Sequence, residues 1–347
     1  MKNFKKIIAL LLALTLCLGL GATAMAYEAE STEKQADALN VLGLFQGTDK
    51  GYELDRTPTR LEALIMLIRL SGKETEALYP WEPYTTPFTD IPTWEGAAEY
   101  IGYAYTNGLT DGVTDTTFEP NTPATAQTFV TFALRALGYT ENTWDNWETL
   151  SKDAGLITEG VDLTNFKRGD AVLVSAAALD AKMADADKTL GSTLMENGVY
   201  GELAYYVSRS VLGAEVTAES SIMEIYGKLY AGLEDGPVLN ALWAMPFDAE
   251  TASYYIGAEG LDIVEGYACE PMMSSVAHSV CLVRLAEGSD IESAKAAIRE
   301  NVNPNKWLCV GVDPANIRVE SIGNLVLLVM DDINCQQIAD SFLSLAE

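Results

Sequence analysis

Residues 57–72, TPTRLEALIMLIRLSG, are the stretch whose reading decides the fold. Thr59 followed three residues later by Glu62 has the spacing of a capping box, in which hydroxyl and carboxylate satisfy each other's helix-start amides. Leu61, Leu64, Ile65 and Ile68 then recur at i, i+3, i+4 and i+7, and Met66, Leu67 and Leu70 widen that stripe. A helix apolar on most of its faces belongs in the centre of a packed unit. Gly72 supplies the stop. Arg60 breaks the pattern, because the first helical turn favours an anion over a cation. It therefore faces a carboxylate or an anionic ligand.

Outward from this helix the chain repeats itself. A helix at about 33–44 leads through Gly43 and Gly47 to Tyr52 and into the Thr59 helix. Phe88-Thr89-Asp90-Ile91-Pro92, a helix from Trp94 to Asn107, Gly108, Gly112 and Phe118 lead in the same order into a helix over 125–138. The glycine pairs lie 65 apart, while Tyr52 and Phe118, Arg69 and Arg135, and Gly72 and Gly138 lie 66 apart. One inserted loop residue reconciles the two offsets. A weaker third copy runs from Trp147 through Gly155 and Gly160 to a helix opened by Lys167-Arg168-Gly169-Asp170. There Arg168 and Asp170 repeat the spacing of Arg60 and Glu62, whereas the second copy has Ala126 and Thr128. Small helical units that cannot bury their own faces stack on one another.

The full chain has 347 residues and a formal charge of −28. Residues 1–26 read as an export signal: Lys2, Lys5 and Lys6, an apolar run over 7–20, and a small-x-small site at Ala24-Met25-Ala26. Cleavage is expected between Ala26 and Tyr27, and losing those three lysines takes the charge to −31. Cys17 invites a lipoprotein reading, but Leu16 does not suit a lipobox. No later apolar run reaches membrane-spanning length. So acidic a chain repels nucleic acid and anionic lipid, and meets an acidic polymer only through a few placed arginines.

FTDIP followed by Trp94, the Gly-Leu-x-x-Gly loops, and TRLE and KRGD at helix starts resemble S-layer homology domains over about residues 33–183. The resemblance implies an all-α bundle of three repeats, a pseudo-threefold spindle that anchors exported proteins to the Gram-positive cell wall. It implies as ligand an anionic, often pyruvylated, secondary cell-wall polysaccharide linked to peptidoglycan. Carried over by position, it implicates Arg60, Arg168, Trp94 and Asp90 in binding. An arginine fork beside free helix-start amides suits a carboxylate, and an indole face stacks on a sugar ring. The competing readings are an ion pair of Arg60 with Glu62 or Asp55, and packing between repeats for Trp94. The second copy, lacking the arginine, is expected to have the degenerate groove. Asp111-Gly112 to Asp115 looks like a calcium loop but reads better as a turn.

The expected divisions are an export signal at 1–26, repeats at 27–87, 88–140 and 141–212 (the last degenerate, with a helical closure), a linker at 213–220 and an α+β sandwich domain at 221–347. In that domain helices are expected over 221–233, 249–257, 290–301 and 332–345, and strands over 261–268, 276–285, 306–311, 316–321 and 325–330. Glu270-Pro271, Lys306-Trp307 and Ile322-Gly323-Asn324 make it resemble a domain of unassigned activity from exported Gram-positive proteins. Its cysteines, Cys269, Cys281, Cys309 and Cys335, are even in number but too sparse for a stapled scaffold. His278 and Cys281 are three apart on an expected strand and so face opposite sides. No nucleophile elbow, metal-ligand pair, phosphate loop or dinucleotide fingerprint is present, so no cofactor or metal is expected.

The reading is thus a non-enzymatic surface protein displaying a C-terminal domain of unknown role. The alternative is an exported hydrolase or ligand-binding or adhesive protein whose site lies in that domain. The sequence carries no signal for oligomeric state. Intact-mass analysis of the exported protein is expected to show a chain beginning at Tyr27.

Overall fold

A computed structural model describes residues 31–233, 239–273 and 275–346. The export signal and the Ala26–Tyr27 junction lie outside the described residues. The described residues form two compact units that divide between Val199 and Tyr200. The first is helical and the second is α+β.

The helical unit begins with α1 over 31–41. It continues with α2 (Arg60–Leu70), α3 (Glu74–Leu78), α4 (Ala97–Thr106), α5 (Ala126–Ala136), α6 (Trp147–Asp153), α7 (Arg168–Asp180) and α8 (Leu190–Glu196). α2 is the central element its pattern predicts. Leu61, Leu64, Leu67 and Ile68 pack in one core with Phe88, Tyr100, Ile101, Ala104 and Phe118. Its capping box is complete: Glu62 N donates to Thr59 Oγ1 at 3.2 Å, and Thr59 N donates to Glu62 Oε2 at 2.8 Å. At α7 Asp170 plays the part of Glu62, accepting from Lys167 N at 2.7 Å.

The sequence offsets have backbone counterparts. Gly43, Gly108 and Gly155 end their helices in left-handed geometry with φ of 74°, 67° and 74°. That conformation strains any residue with a Cβ and is common at helix ends. Glu53 and Glu119, each following the loop aromatic, share a left-handed φ of 49° and 58°. The tight bridges Thr48–Gly51 and Thr114–Thr117 also match, so the stretch that resembled a calcium loop is a hairpin-like turn.

The second unit opens with α9 (Glu202–Val211) and α10 (Ile222–Tyr230). It continues with β1 (Leu242–Phe247), α11 (Ala252–Ile256), β2 (Ile263–Pro271), β3 (His278–Leu285), α12 (Ile291–Asn301), β4 (Ile317–Ile322), β5 (Leu325–Asp331) and α13 (Cys335–Leu343). All pairings in the β1-β2-β3-β5-β4 sheet are antiparallel. Cys281, Val283, Val326 and Leu328 pack with Ile256 of α11 and with Ala294 and Ile298 of α12. The hydroxyl of Tyr226 in α10 lies 2.8 and 2.9 Å from the carbonyls of Tyr267 and Val280, fastening that helix to β2 and β3.

Three expectations change. The unit boundary lies at 199/200, with 213–220 inside the second unit, because α9 packs on α10: a Cβ at Gly227 would come within 2.5 Å of the Tyr206 carbonyl. Residues 306–311 are not a strand, because Cys309 within them takes a left-handed φ of 64° that breaks an extended run, while the Lys306 side chain turns inward to Glu270. β1 is a strand the sequence did not announce; Pro246 within it is tolerated on an edge strand.

Glu62 ties this fold to pH. Burial opposes its ionisation, but the bidentate bonds from Arg56, 2.7 and 2.5 Å, and the amide of Thr59 hold its carboxyl below the usual range. A depressed folded pKa contributes stability above the unfolded value, about pH 4.3, and that contribution is lost as pH falls through the folded value. Glu62→Ala is expected to cost about 2 kcal/mol at pH 7 in urea denaturation and less below pH 4. An equal cost at both pH values would contradict this.

Candidate functional site

Both arginines of interest leave their own helices to meet loops elsewhere in the helical unit. Arg168, at the start of α7, is only 3% exposed. Its Nε donates to Tyr52 O at 2.8 Å and its Nη2 to Gln46 O at 3.3 Å, while Nη1 lies 3.6 Å from Glu62 Oε1. Its guanidinium covers the Phe45 ring at 5.1 Å. Burial pulls its pKa down, and Glu62 opposes that pull. Every face of this cation has a partner.

Arg60, at the start of α2, makes the corresponding move toward the 110–122 loop with fewer partners. It covers the Phe118 ring at 5.0 Å, and Nη2 donates to Thr110 Oγ1 at 3.1 Å. Its Nε is buried without a hydrogen-bond partner. Burial again lowers its pKa, opposed only by the field of Glu119. Neither Glu62 nor Asp55 pairs with it: Arg56 takes Glu62, and Lys167 lies 3.7 Å from Asp55. The position equivalent to Glu62 beside this second loop is Thr128, which carries no charge.

The expectation of free helix-start amides is corrected. Arg60 N and Leu61 N donate to Thr122 O and Pro120 O at 2.8 and 3.1 Å. Arg168 N and Gly169 N donate to Arg56 O and Leu54 O, both at 2.9 Å. Loop carbonyls therefore satisfy the orphan donors of both helices, and only guanidinium groups remain to meet a ligand.

A groove of about 510 Å³ opens beside α2, within the size range of small-ligand sites. Its lining includes Gln46, Gly47 and Thr48, the α2 residues Glu62, Ile65, Met66 and Arg69, then Leu78, Tyr79, Trp94, Glu99, Tyr100 and Arg168. Trp94 and Arg168 thus come together there. Arg60 and Asp90 are not among the lining residues. Trp94 is 48% exposed and lies 6.5 Å from the Tyr100 ring. Arg69 is held by Glu74 Oε1 at 2.7 Å and Gln46 Oε1 at 3.0 Å. Asp90 instead accepts from the amides of Phe118 and Glu119 at 2.9 and 2.8 Å. These bonds outweigh its slight burial and lower its pKa. It shapes the loop on which Arg60 lies.

Sequence reasoning missed Arg69, Tyr79 and Tyr100 as lining residues. Arg69 had a signal, since it recurs as Arg135, but its use as a repeat marker hid its place on the groove wall.

The second unit holds two buried polar clusters. Lys306 pairs with Glu270 and donates to Ser279 Oγ at 3.2 Å, and that hydroxyl donates to Glu270 Oε1 at 2.7 Å. Ser279 is fully buried, and the lysine amine donates to the hydroxyl, so neither is arranged as nucleophile and base. His278 bridges Asp331, at 2.6 Å from Nδ1, and the Tyr230 hydroxyl, at 2.7 Å from Nε2. Cys281 packs on the opposite face, with α12. Cys269, Cys281, Cys309 and Cys335 are free. Burial pushes the thiols of Cys269 and Cys281 up to about 12 and about 11, far from the range of a reactive thiolate. A depression of about 400 Å³ lined by residues 286–289, 291 and 323–324 has Glu287 as its ionisable side chain.

Residues 87–125 match the S-layer homology domain family. A cell surface protein of Thermoanaerobacter kivui is 29% identical over 211 residues, covering 56% of this chain and 27% of that protein. A surface layer protein of Brevibacillus choshinensis is 29% identical over 212 residues, covering 58% of this chain and 18% of its own length. A middle cell wall protein of Brevibacillus brevis is 26% identical over 220 residues, covering 60% and 20%. The chain therefore spans about a quarter or less of these relatives.

The two arginines are expected to differ in urea denaturation. Arg168→Ala leaves two loop carbonyls without their donor, empties a buried site over Phe45 and removes the second of the two cations beside Glu62, and is expected to cost about 3 kcal/mol. Arg60→Ala loses one neutral acceptor and a ring contact, about 1 kcal/mol. The reverse order would refute this assignment.

Proposed function

We propose that this chain, which matches the S-layer homology domain family at residues 87–125 and is similar to surface-layer and cell-wall proteins, is a cell-surface protein whose helical unit anchors it by binding an anionic secondary cell-wall polysaccharide, pyruvylated in the form the family resemblance implies. Three repeats, at 27–87, 88–140 and from 141 to the end of the helical unit at 199, close a pseudo-threefold bundle. The first repeat's arginine lies on the loop of the second, and the third repeat's arginine lies on the loop of the first. The position that would lie on the loop of the third is Ala126, so the groove without a cation belongs to the third repeat and not the second.

Arg60 carries this reading. It is a half-buried guanidinium with no carboxylate at ion-pair distance among the described residues, in a chain of net charge −28. A carboxylate on the polymer neutralises it with charge-assisted bonds. Arg168 has its charge met by Glu62 and serves chiefly to hold its groove in shape. Trp94 and Tyr79 there present ring faces to sugar. Asp90 acts one step back, by fixing the loop beneath Arg60. No described helix is long and apolar enough to cross a membrane. The α+β unit is displayed as a non-enzymatic partner. Its Lys306–Glu270–Ser279 and His278–Asp331–Tyr230 clusters are sealed from solvent and serve to hold strands and loops.

The mature chain is expected to sediment with purified sacculi and to stay in solution when the wall polysaccharide has been stripped. Arg60→Ala is expected to weaken binding by about tenfold or more while the protein stays folded. Sedimentation that ignores the polysaccharide would sink the anchoring assignment. Undiminished binding by folded Arg60→Ala would sink the arginine's role.

A further inference from the structure

Between α3 and α4 the chain reads Tyr79-Pro80-Trp81-Glu82-Pro83-Tyr84. Tyr79 is 79% exposed and Trp81 is 100% exposed. Lone exposed apolar side chains are ordinary on protein surfaces. What sets Trp81 apart is how firmly the segment around it is held.

At one end, Tyr79 N donates to Thr75 O at 3.0 Å, and Tyr79 lies on the wall of the groove beside α2. At the other, the Tyr84 hydroxyl donates to Glu76 O at 3.0 Å, and its ring meets Tyr103 edge-on at 6.1 Å. Tyr84 also packs on Gly102 so closely that a Cβ there would come within 2.4 Å of the Tyr84 Cβ. Pro80 and Pro83 restrict the residues between and the residues before them. The fold thus spends anchoring contacts on a short rigid bracket whose indole touches nothing. An indole held in place in advance loses little freedom when a flat partner settles on it.

We propose that Trp81, with Tyr79, is a second stacking site that takes an uncharged pyranose ring of the polymer whose neighbouring residue occupies the groove; this rests on the anchoring function proposed above. The chemistry separates the two positions. The groove sets Arg168 and Arg69 beside Glu62, Glu95 and Glu99, whereas residues 79–84 carry no cation. Around Trp81 the ionisable neighbour in the chain is Glu82, which is exposed and disfavours an anionic ring. An indole and a phenol ring offer flat apolar faces that suit the C–H face of a sugar. The groove recognises a single residue, and the bracket makes recognition depend on chain length.

The test uses calorimetry on the full mature chain with two probes: polysaccharide released from sacculi, and the monosaccharides of its complete hydrolysis. Trp81→Ala is expected to bind the polysaccharide about tenfold more weakly. Its affinity for the monosaccharides is expected to match the wild type. Trp81→Tyr is expected to recover much of the loss, and the fold-change is expected to persist at high salt, where charge contacts are screened. If the wild type binds polysaccharide and Trp81→Ala binds it equally well, the second site is refuted and anchoring stands. If Trp81→Ala loses the monosaccharides too, Trp81 belongs to the groove and the length dependence is refuted. If the wild type binds no polysaccharide, anchoring itself fails and the second site falls with it.

Discussion

A single buried guanidinium organises the helical unit. Arg168 sits 3% exposed at the start of α7, and a charge so placed is stable only with hydrogen-bond acceptors and a counter-charge beside it. Tyr52 O, Gln46 O and Glu62 supply them. Those acceptors come from the loop and helix that also form the groove, so the groove's shape follows from satisfying the cation. Glu62 is the shared element. It caps its own helix, receives both Arg56 donors and lies opposite Arg168. Removing that carboxylate would loosen a helix end, a loop and a buried charge together.

The same local frame with one substitution behaves differently. Around Arg60 the acidic partner is replaced by Thr128, the acceptor is a hydroxyl, and Nε remains unpaired. An arginine that has already exchanged its hydration for fixed acceptors gains little from a ligand. One left short of acceptors gains more. The two equivalent cations thus differ in how far the fold itself satisfies them, which is the difference on which the proposed anion-binding role of Arg60 rests. In the α+β unit the buried Lys306, Glu270 and Ser279 partner one another, and His278 partners Asp331 and Tyr230.

The sequence by itself determined much of this. The stripe of Leu61, Leu64 and Ile68, the Thr59–Glu62 capping box and the glycine stops are local, and their physics is complete within a few residues. The 65 and 66 offsets located equivalent positions, and backbone geometry at Gly43 and Gly108 and at Glu53 and Glu119 follows them. Most elements of the second unit were also legible, because apolar runs such as residues 325–330 read as strands whatever their neighbours. Tertiary structure alone decided where each arginine goes. Nothing near Arg168 in the chain shows that its acceptors lie more than a hundred residues away. Nor does the sequence reveal that the helix-start amides are already taken by the loops at 54–56 and 120–122. Lys306 and β1 make the same point: a lysine drawn inward by Glu270, and a proline-bearing strand accepted at a sheet edge. Helices and turns arise from contacts between near neighbours, whereas the fate of a buried charge depends on which distant carbonyls and carboxylates the fold brings to it.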